Sequence, residues 1–160
     1  MRIAGIVRDS IVDGEGIRDV VFLQGCKHAC KGCHNQGAWD IRGGTEVSLQ
    51  SILERLRGSS NAVTLSGGEP LLQFDELVEF LYLLKRNDCW LYTGYTFEDI
   101  PISTWQLLSQ WVEVVVDGKF ELDKKDSNLL FKGSSNQRII DLPKSVERNE
   151  VVLWEDRYDY

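Results

Sequence analysis

The sequence predicts an α/β fold built around a mostly parallel sheet. Four short runs of β-branched and apolar residues are bounded by polar residues, a pattern typical of strands buried on both faces. These runs are Val20–Leu23, Ala62–Leu65, Trp90–Tyr92 and Val112–Val116. Helical patterns separate the runs, and alternating strands and helices favour parallel strands joined by right-handed crossovers. Because the 160 residues contain neither an internal repeat nor an obvious linker, we expect one domain over residues 1–160.

Three segments between these runs have the apolar spacing of helices. Ser48–Arg57 places its leucine and isoleucine side chains on one face, as an amphipathic helix does. Asp75–Arg86 begins with acidic residues and ends with basic ones, the order that the helix dipole favours. Ser103–Trp111 begins at a serine that follows a proline-containing turn, a common helix start. These helices would form the crossovers of the parallel sheet.

The chain after residue 118 lacks this regular alternation and is predicted to be rich in loops. Arg138–Asp141 and Val151–Trp154 are apolar enough to be late strands. The tail Leu142–Tyr160 carries no motif that assigns it a role.

Composition and charge disfavour several classes of partner. The net charge is −7, from 18 basic and 25 acidic residues, whereas nucleic-acid-binding proteins usually show a basic surface. The N-terminus lacks the apolar segment of a signal peptide, and no apolar run is long enough to cross a membrane. We therefore expect a cytoplasmic protein that binds neither nucleic acid nor membrane. In that compartment clustered cysteines more often hold metal or perform redox chemistry than form disulfides.

Polar loops that contain glycine follow all four predicted strands. They comprise the cysteine loop after Gln24, then Ser66–Pro70 (SGGEP), Thr93–Tyr95 (TGY) and Asp117–Lys119 (DGK). The carboxyl ends of parallel strands meet at one edge of a sheet, where α/β proteins bind their ligands. The four loops are therefore expected to form one composite site.

The cysteine loop, residues 25–35 (GCKHACKGCHN), contains three of the four cysteines at C-x3-C-x2-C spacing. These three are Cys26, Cys30 and Cys33. Three thiolates are enough to hold a 4Fe–4S cluster while one iron stays open to another ligand. A zinc site completed by His28 or His34 is the alternative, because structural zinc prefers four protein ligands. Cys89, at the start of the third predicted strand, is expected to be a buried apolar residue.

The cysteine loop and the GGEP segment at residues 67–70 together resemble the radical S-adenosylmethionine enzymes. That superfamily implies an open iron that binds the amino and carboxylate groups of S-adenosylmethionine. It also implies reductive cleavage of the sulfonium to a 5′-deoxyadenosyl radical and a (βα) barrel, which is truncated to a partial barrel in the subgroup that a chain of this length resembles. The residue before the third cysteine is commonly aromatic in the superfamily and is Gly32 here. This departure from the general pattern restricts the number of subgroups that the chain resembles.

Further segments resemble one subgroup, the glycyl-radical-enzyme activases. The segment DGEGIR (13–18) carries this likeness, and three others resemble the activating proteins of anaerobic ribonucleoside-triphosphate reductase, namely residues 91–99, 114–120 and 131–141. The family implies an oxidoreductase whose deoxyadenosyl radical takes hydrogen from a backbone glycine of the reductase, leaving a glycyl radical. The implied partners are the large subunit of that reductase and a low-potential electron donor such as flavodoxin.

The resemblance assigns roles to individual residues. The expected cluster ligands are Cys26, Cys30 and Cys33. The expected contacts with the cofactor are Gly32, Cys33, His34, Gly67, Gly68, Glu69, Asp117 and Lys119. For Asp117 and Lys119 a simple Asp-Gly turn is the alternative, and Thr93 and Gly94 lie on the same edge. The chemistry needs no acid or base from the protein, in agreement with the lack of a convincing catalytic dyad in the sequence.

Three nearby features have open interpretations. Arg18 is either solvated or faces the partner at the mouth of the site. Residues 133–138 (GSSNQR) are either an ordinary polar loop or a segment that closes the site or docks the partner. His28 is expected to be a solvated loop residue.

Two other functions are also compatible with the motifs. One is another small radical enzyme such as 7-carboxy-7-deazaguanine synthase, which also combines a three-cysteine loop with a GGEP segment. Residues 92–99 and 133–141 argue against it. The other is a non-catalytic zinc-binding adaptor, which a metal analysis would identify.

Overall fold

The computed structural model describes residues 1–155, which form one seven-stranded sheet and four helices. The strands are β1 (Arg2–Ser10), β2 (Arg18–Leu23), β3 (Thr45–Glu46), β4 (Ala62–Gly67), β5 (Cys89–Tyr92), β6 (Val112–Asp117) and β7 (Arg138–Asp141). The helices are α1 (Leu49–Leu56), α2 (Phe74–Leu84), α3 (Ile102–Leu108) and α4 (Leu142–Arg148). None of these helices has the length and apolar character that crossing a membrane requires.

The sheet has a parallel centre and antiparallel edges, in the order β3-β1-β2-β4-β5-β6-β7. Strands β2, β4, β5 and β6 pair in parallel, which confirms the four predicted strands and their crossovers. β1 runs antiparallel to β2 and β3, and β7 runs antiparallel to β6. The α/β prediction is therefore confirmed, with a mixed sheet that has more antiparallel pairing than expected.

The three predicted helices are present, with ends set by local backbone chemistry. α1 begins after Ser48, whose side chain accepts a hydrogen bond from Ser51 N. α2 carries acidic residues in its first turn and ends at Lys85, where a φ of 57° places the backbone in the left-handed region. The helix predicted to reach Arg86 has Leu84 as its last residue and Lys85 as its cap. The sequence here has no glycine that would mark the end of the helix.

The last part of the described chain differs from the expectation. Arg138–Asp141 is a strand as predicted, but Val151–Trp154 is not, because this segment contributes a single bridge from Leu153 to Ile140. Part of the tail forms α4, which the sequence analysis missed although Asp141 caps its start by accepting a hydrogen bond from Lys144 N. Residues 156–160 of the predicted tail lie outside the described residues.

All four helices pack on one face of the sheet. Their buried side chains, such as Ile52, Phe80 and Trp105, join one core cluster with alternate strand residues, such as Val21 and Leu65. The opposite face carries a smaller cluster. It consists of Trp90, Val114 and Val116, packed with Tyr92, Phe131, Ile139 and Trp154. Within residues 1–155 no α-helix packs over this second face, so the loops that follow the parallel strands are able to reach its carboxyl end.

Arg18 is a structural residue on this second face. Its side chain is only 3% exposed and donates hydrogen bonds to Thr64 Oγ1 at 2.7 Å, Val63 O at 3.0 Å and Asp88 O at 2.7 Å. The guanidinium also lies 5.5 Å from the centre of the Trp90 ring. The expectation that Arg18 is solvated or faces a partner is therefore wrong, because its hydrogen bonds hold it against the sheet.

Candidate functional site

The loops that follow β2, β4, β5 and β6 line one pocket at the carboxyl edge of the sheet, as the parallel strands predict. Side chains or backbone from all four loops reach it, including Cys26, Cys30, Cys33, Gly67, Thr93 and Lys119. Aromatic rings of Trp39, Tyr92 and Phe120 complete part of the wall. The pocket therefore brings the cysteine loop, the GGEP segment and the DGK segment together.

Three thiols face this pocket from an irregular loop. Cys26, Cys30 and Cys33 are all free and partly buried. Burial raises the pKa of the Cys26 thiol, and it also raises that of Cys30. Without a cation this shift favours the protonated forms of Cys26 and Cys30, and binding of iron would release those protons. Cys89 is fully buried in β5, where burial raises the pKa of its thiol to about 12, so the expectation of a core residue is confirmed.

The donor set of the pocket fits an iron–sulfur cluster. Among the residues that the structure describes, the pocket wall offers thiols and no carboxylate. Nowhere in residues 1–155 do three His, Cys, Asp or Glu side chains converge on the position of a single metal ion. A 4Fe–4S cluster takes each cysteine on a different iron, so its ligands need not converge. Of the two histidines that could complete a zinc site, His28 has its Nε2 2.7 Å from Glu69 Oε1, and His34 is exposed and does not line the pocket.

The two glycines of the GGEP segment allow it to pack on the start of the cysteine loop. Gly67 has a φ of 108°, and a Cβ there would collide with backbone atoms of Leu23. A Cβ on Gly68 would collide with Gly25 O and lie 2.8 Å from Ala38 O. Hydrogen bonds from Gly68 N to Leu23 O, at 2.9 Å, and from Glu69 N to Gly25 O, at 2.8 Å, close the contact. Both glycines also line the pocket.

Glu69 is 1% exposed and lies behind the pocket wall. Its Oε1 accepts hydrogen bonds from His28 Nε2 at 2.7 Å, Thr93 Oγ1 at 2.8 Å and Gly94 N at 2.8 Å. Its Oε2 accepts from Leu71 N at 3.0 Å. The carboxylate therefore ties three loops of the site together, a role that the sequence analysis did not foresee. Its expected contact with the methionine amino group stays a prediction.

His28 is not the solvated loop residue that the sequence suggested. Its side chain is 8% exposed, and its Nε2 lies 2.7 Å from Glu69 Oε1. The ring packs edge-on against Tyr95, with ring centres 4.7 Å apart. The solvated interpretation is wrong because a buried carboxylate on the neighbouring loop takes up the ring nitrogen.

Gly32 and His34 flank the third cysteine on the outer side of the loop. Gly32 has a φ of 76°, and a Cβ there would lie 2.7 Å from Leu122 Cδ1. The glycine thus admits a close approach to the 3-10 turn Leu122–Lys124. His34 is exposed and its ring lies 5.5 Å from that of Phe120. Both residues stand beside Cys33, although neither lines the thiol pocket itself.

Asp117 and Lys119 differ in their surroundings. Asp117 is 1% exposed and accepts from Phe97 N at 2.7 Å and from Arg138 Nη2 at 2.6 Å. Arg138 Nη2 also donates to Glu98 Oε2 at 2.7 Å, and the two carboxylates raise the pKa of the guanidinium. Lys119, in contrast, is exposed and lines the thiol pocket. Within the predicted pair, Asp117 is thus committed to the scaffold and Lys119 is available to a ligand.

Residues 133–138 hold the loop that carries Lys119. Gln137 Oε1 accepts from Gly133 N at 2.9 Å, and Gln137 Nε2 donates to Gly118 O at 3.0 Å. Asn136 Nδ2 donates to Lys119 O at 2.8 Å. The segment is therefore an internal clasp, hydrogen-bonded to the backbone at one wall of the site, and its roles in closing the site or docking the partner stay predictions.

Comparison with known proteins identifies relatives of the chain. A family model described as a 4Fe-4S single cluster domain matches residues 12–140, a range that includes all four loops of the pocket. A Haemophilus influenzae protein named anaerobic ribonucleoside-triphosphate reductase-activating protein is 36% identical over 141 residues, which cover 81% of this chain and 90% of the relative. Proteins of that name from Pasteurella multocida and Escherichia coli K12 are 37% and 35% identical, over 81% and 79% of this chain and 90% of each relative.

Proposed function

The chain belongs to the family of anaerobic ribonucleoside-triphosphate reductase-activating proteins, and we propose that it activates such a reductase with a 4Fe–4S cluster and S-adenosylmethionine. One observation carries the proposal: the three thiols line the same pocket as the GGEP and DGK segments. The α/β sheet would be the truncated radical S-adenosylmethionine barrel, and residues 1–160 would be one domain. The protein would act in the cytoplasm, where thiols stay reduced.

The cluster would be held by Cys26, Cys30 and Cys33. When bound, it would supply the electron that cleaves S-adenosylmethionine to methionine and a 5′-deoxyadenosyl radical, which takes a hydrogen atom from a backbone glycine of the reductase. With three protein thiolates, one iron is left for the amino and carboxylate groups of the substrate. The electron would come from a low-potential donor such as flavodoxin.

The residues around the thiols would bind and shield the methionine end of S-adenosylmethionine. Gly67 and Gly68 bring backbone to the pocket wall without side chains, so a ligand is able to approach closely. Lys119 also lines the pocket, where its ammonium group would suit a carboxylate. The rings of Trp39 and Phe120 cover part of the pocket and help to keep water from a reactive intermediate.

The rest of the site would set its shape. Glu69 holds the loops after β4 and β5 together through Thr93 and Gly94. Arg138 and the clasp at residues 133–138 hold Asp117 and the backbone on either side of Lys119. Gly32 and His34 lie at the outer side of the third cysteine, where contact with the bound nucleoside would occur. In this arrangement the protein contributes ligands, position and shielding rather than acid–base catalysis.

Anaerobic reconstitution with iron and sulfide tests this proposal. The purified chain should bind about four irons and four sulfides. With dithionite, the loaded protein should convert S-adenosylmethionine to methionine and 5′-deoxyadenosine, which chromatography would quantify. A chain that instead binds one zinc tightly and never cleaves S-adenosylmethionine would contradict the proposal and favour the zinc-binding adaptor.

A further inference from the structure

The side chain of His28 links the cysteine loop to two other loops of the site. His28 lies between Cys26 and Cys30 in sequence, yet its ring turns toward the GGEP segment, where Nε2 is 2.7 Å from Glu69 Oε1. Because a carboxylate only accepts hydrogen bonds, Nε2 is the donor. The ring also packs against Tyr95, which follows β5. One side chain thus joins the loops that follow β2, β4 and β5.

The backbone of the loop after β5 is shaped to receive this ring. A Cβ on Gly94 would lie 2.5 Å from His28 Cδ2 and 2.7 Å from His28 Nε2, so a larger residue would push the ring away. Gly94 N also donates to the same Glu69 oxygen that His28 reaches. The His28 ring therefore has a hydrogen bond to Glu69 through Nε2 and close packing against Gly94 and Tyr95. An exposed side chain in a surface contact lacks this combination.

Other contacts of the cysteine loop lie at its start and at the cysteines themselves, where backbone of His28 hydrogen-bonds Cys26 and backbone of Phe120 hydrogen-bonds Cys30. Backbone hydrogen bonds hold its start, from Gly25 N to Ala38 O at 2.7 Å and from Cys26 N to Trp39 O at 3.0 Å. Ala29, after His28, has a left-handed φ of 52°, a strained conformation for a residue with a Cβ. Cys30 follows directly, so fixing His28 helps to set the path of the chain between the first two thiols.

Glu69 is well suited to fix it. The carboxylate is buried, and donors from Thr93, Gly94 and Leu71 hold it in one orientation. A carboxylate that several hydrogen bonds hold in one orientation also restricts the orientation of the histidine bound to it. Hydrogen bonds to metal-binding side chains restrict those side chains in the same way. Because Glu69 directly follows Gly67 and Gly68, its hydrogen bond fixes the position of His28 relative to these two glycines. The spacing of Cys26 and Cys30 is expected to depend on that position.

We propose that His28 is a positioning residue that acts through Glu69, holding the segment from Cys26 to Cys30 in fixed relation to the glycine-rich wall that would receive S-adenosylmethionine. The inference rests on the proposed function, because that function supplies the cluster and the ligand. His28 itself also lines the thiol pocket, but the role proposed for it is carried by its hydrogen bond to Glu69. Its removal should leave the thiols able to hold iron but less well placed beside the substrate pocket.

The test uses the reconstituted protein and the His28→Ala, His28→Gln, Glu69→Ala and double His28→Ala/Glu69→Ala variants, with Lys27→Ala as the matched control. Lys27 is the exposed neighbour of His28 on the same loop. Iron content, the dissociation constant for S-adenosylmethionine, and the change in the electron paramagnetic resonance spectrum of the reduced cluster when S-adenosylmethionine is added are measured for each. Thermal unfolding of the iron-free chains checks that each variant folds.

His28→Ala should keep its iron, bind S-adenosylmethionine about 10-fold more weakly, and show a reduced or altered spectral change. His28→Gln should recover most of the affinity, because its amide offers a donor at similar reach. Lys27→Ala should match the wild type. The double variant should bind no more weakly than the weaker single variant, since residues that act as a unit are not additive.

Wild-type affinity and spectrum in His28→Ala, or additive losses in the double variant, would overturn the inference while the proposed function stands. Loss of iron in both His28→Ala and His28→Gln would also overturn it, because His28 would then be a ligand or a folding residue. A wild-type chain that loads a cluster but binds no S-adenosylmethionine would instead contradict the proposed function itself.

Discussion

Cys30→Ala is expected to abolish stable cluster binding, lowering the iron content after anaerobic reconstitution from about four atoms per chain to below about one. Two thiols are too few for a cluster that already has an iron without a protein ligand, and the described pocket wall has no carboxylate to replace the third. Cleavage of S-adenosylmethionine should be lost with the cluster. Iron and sulfide assays, with the visible absorption of the cluster, measure the effect.

Cys89→Ala is the matched control for this experiment. Cys89 is a thiol in the same chain, but it is fully buried in β5 and its raised pKa keeps it protonated. The control should load iron like the wild type, with a lower free energy of unfolding from the small cavity it leaves. Equal iron loading in Cys30→Ala and the wild type would exclude Cys30 as a ligand.

Gly68→Ala should have the second largest effect, because the added methyl group meets backbone and not a movable side chain. Its Cβ would collide with Gly25 O, and Ala38 O would be 2.8 Å away. We expect the free energy of unfolding to fall by about 2 kcal/mol. Because the cysteine loop would shift against the substrate pocket, cleavage of S-adenosylmethionine should fall about 100-fold. Urea unfolding and deoxyadenosine release measure the two effects.

Gly37→Ala controls for the simple replacement of a glycine near the cysteine loop. No atom lies within 4 Å of a Cβ built on Gly37, and its φ is outside the left-handed region. Stability and cleavage should both stay close to those of the wild type. If Gly68→Ala behaves like Gly37→Ala, then the close packing of the GGEP segment on Gly25 is not important for the site.

The parallel centre of the fold was predictable because its strands are short, apolar and separated by amphipathic helices. β1 was not, since Arg2–Ser10 mixes glycine and charged residues and therefore has no continuous apolar run, although it pairs with strands on both sides. α4 could have been found, because Asp141 as a cap with Pro143 in the first turn is a helix-start signal. The helix was not predicted because it has only seven residues and follows a segment that is rich in loops.

Site residues could be predicted where the residue type itself indicates the chemistry, as for the cysteines. They could not be predicted where the role of a side chain depends on its burial in the folded chain. Three cysteines at fixed spacing and a GGEP segment locate the pocket, because their chemistry does not depend on distant residues. Arg18 and His28 gave the opposite result. Their surroundings, Thr64 and Asp88 for one and Glu69 for the other, lie more than 40 residues away in the chain. The local sequence around Arg18 and His28 does not predict contacts with residues so distant in the chain.

Electron paramagnetic resonance of a complete activation mixture tests the central claim most directly. The cluster-loaded chain, S-adenosylmethionine, a reductant and the large subunit of the anaerobic ribonucleoside-triphosphate reductase from the same organism would be combined without oxygen. We predict a doublet from a glycyl radical on the reductase that is absent without S-adenosylmethionine and absent with Cys30→Ala. A loaded chain that cleaves S-adenosylmethionine but yields no doublet with that reductase would contradict the claim that it is the reductase's activase.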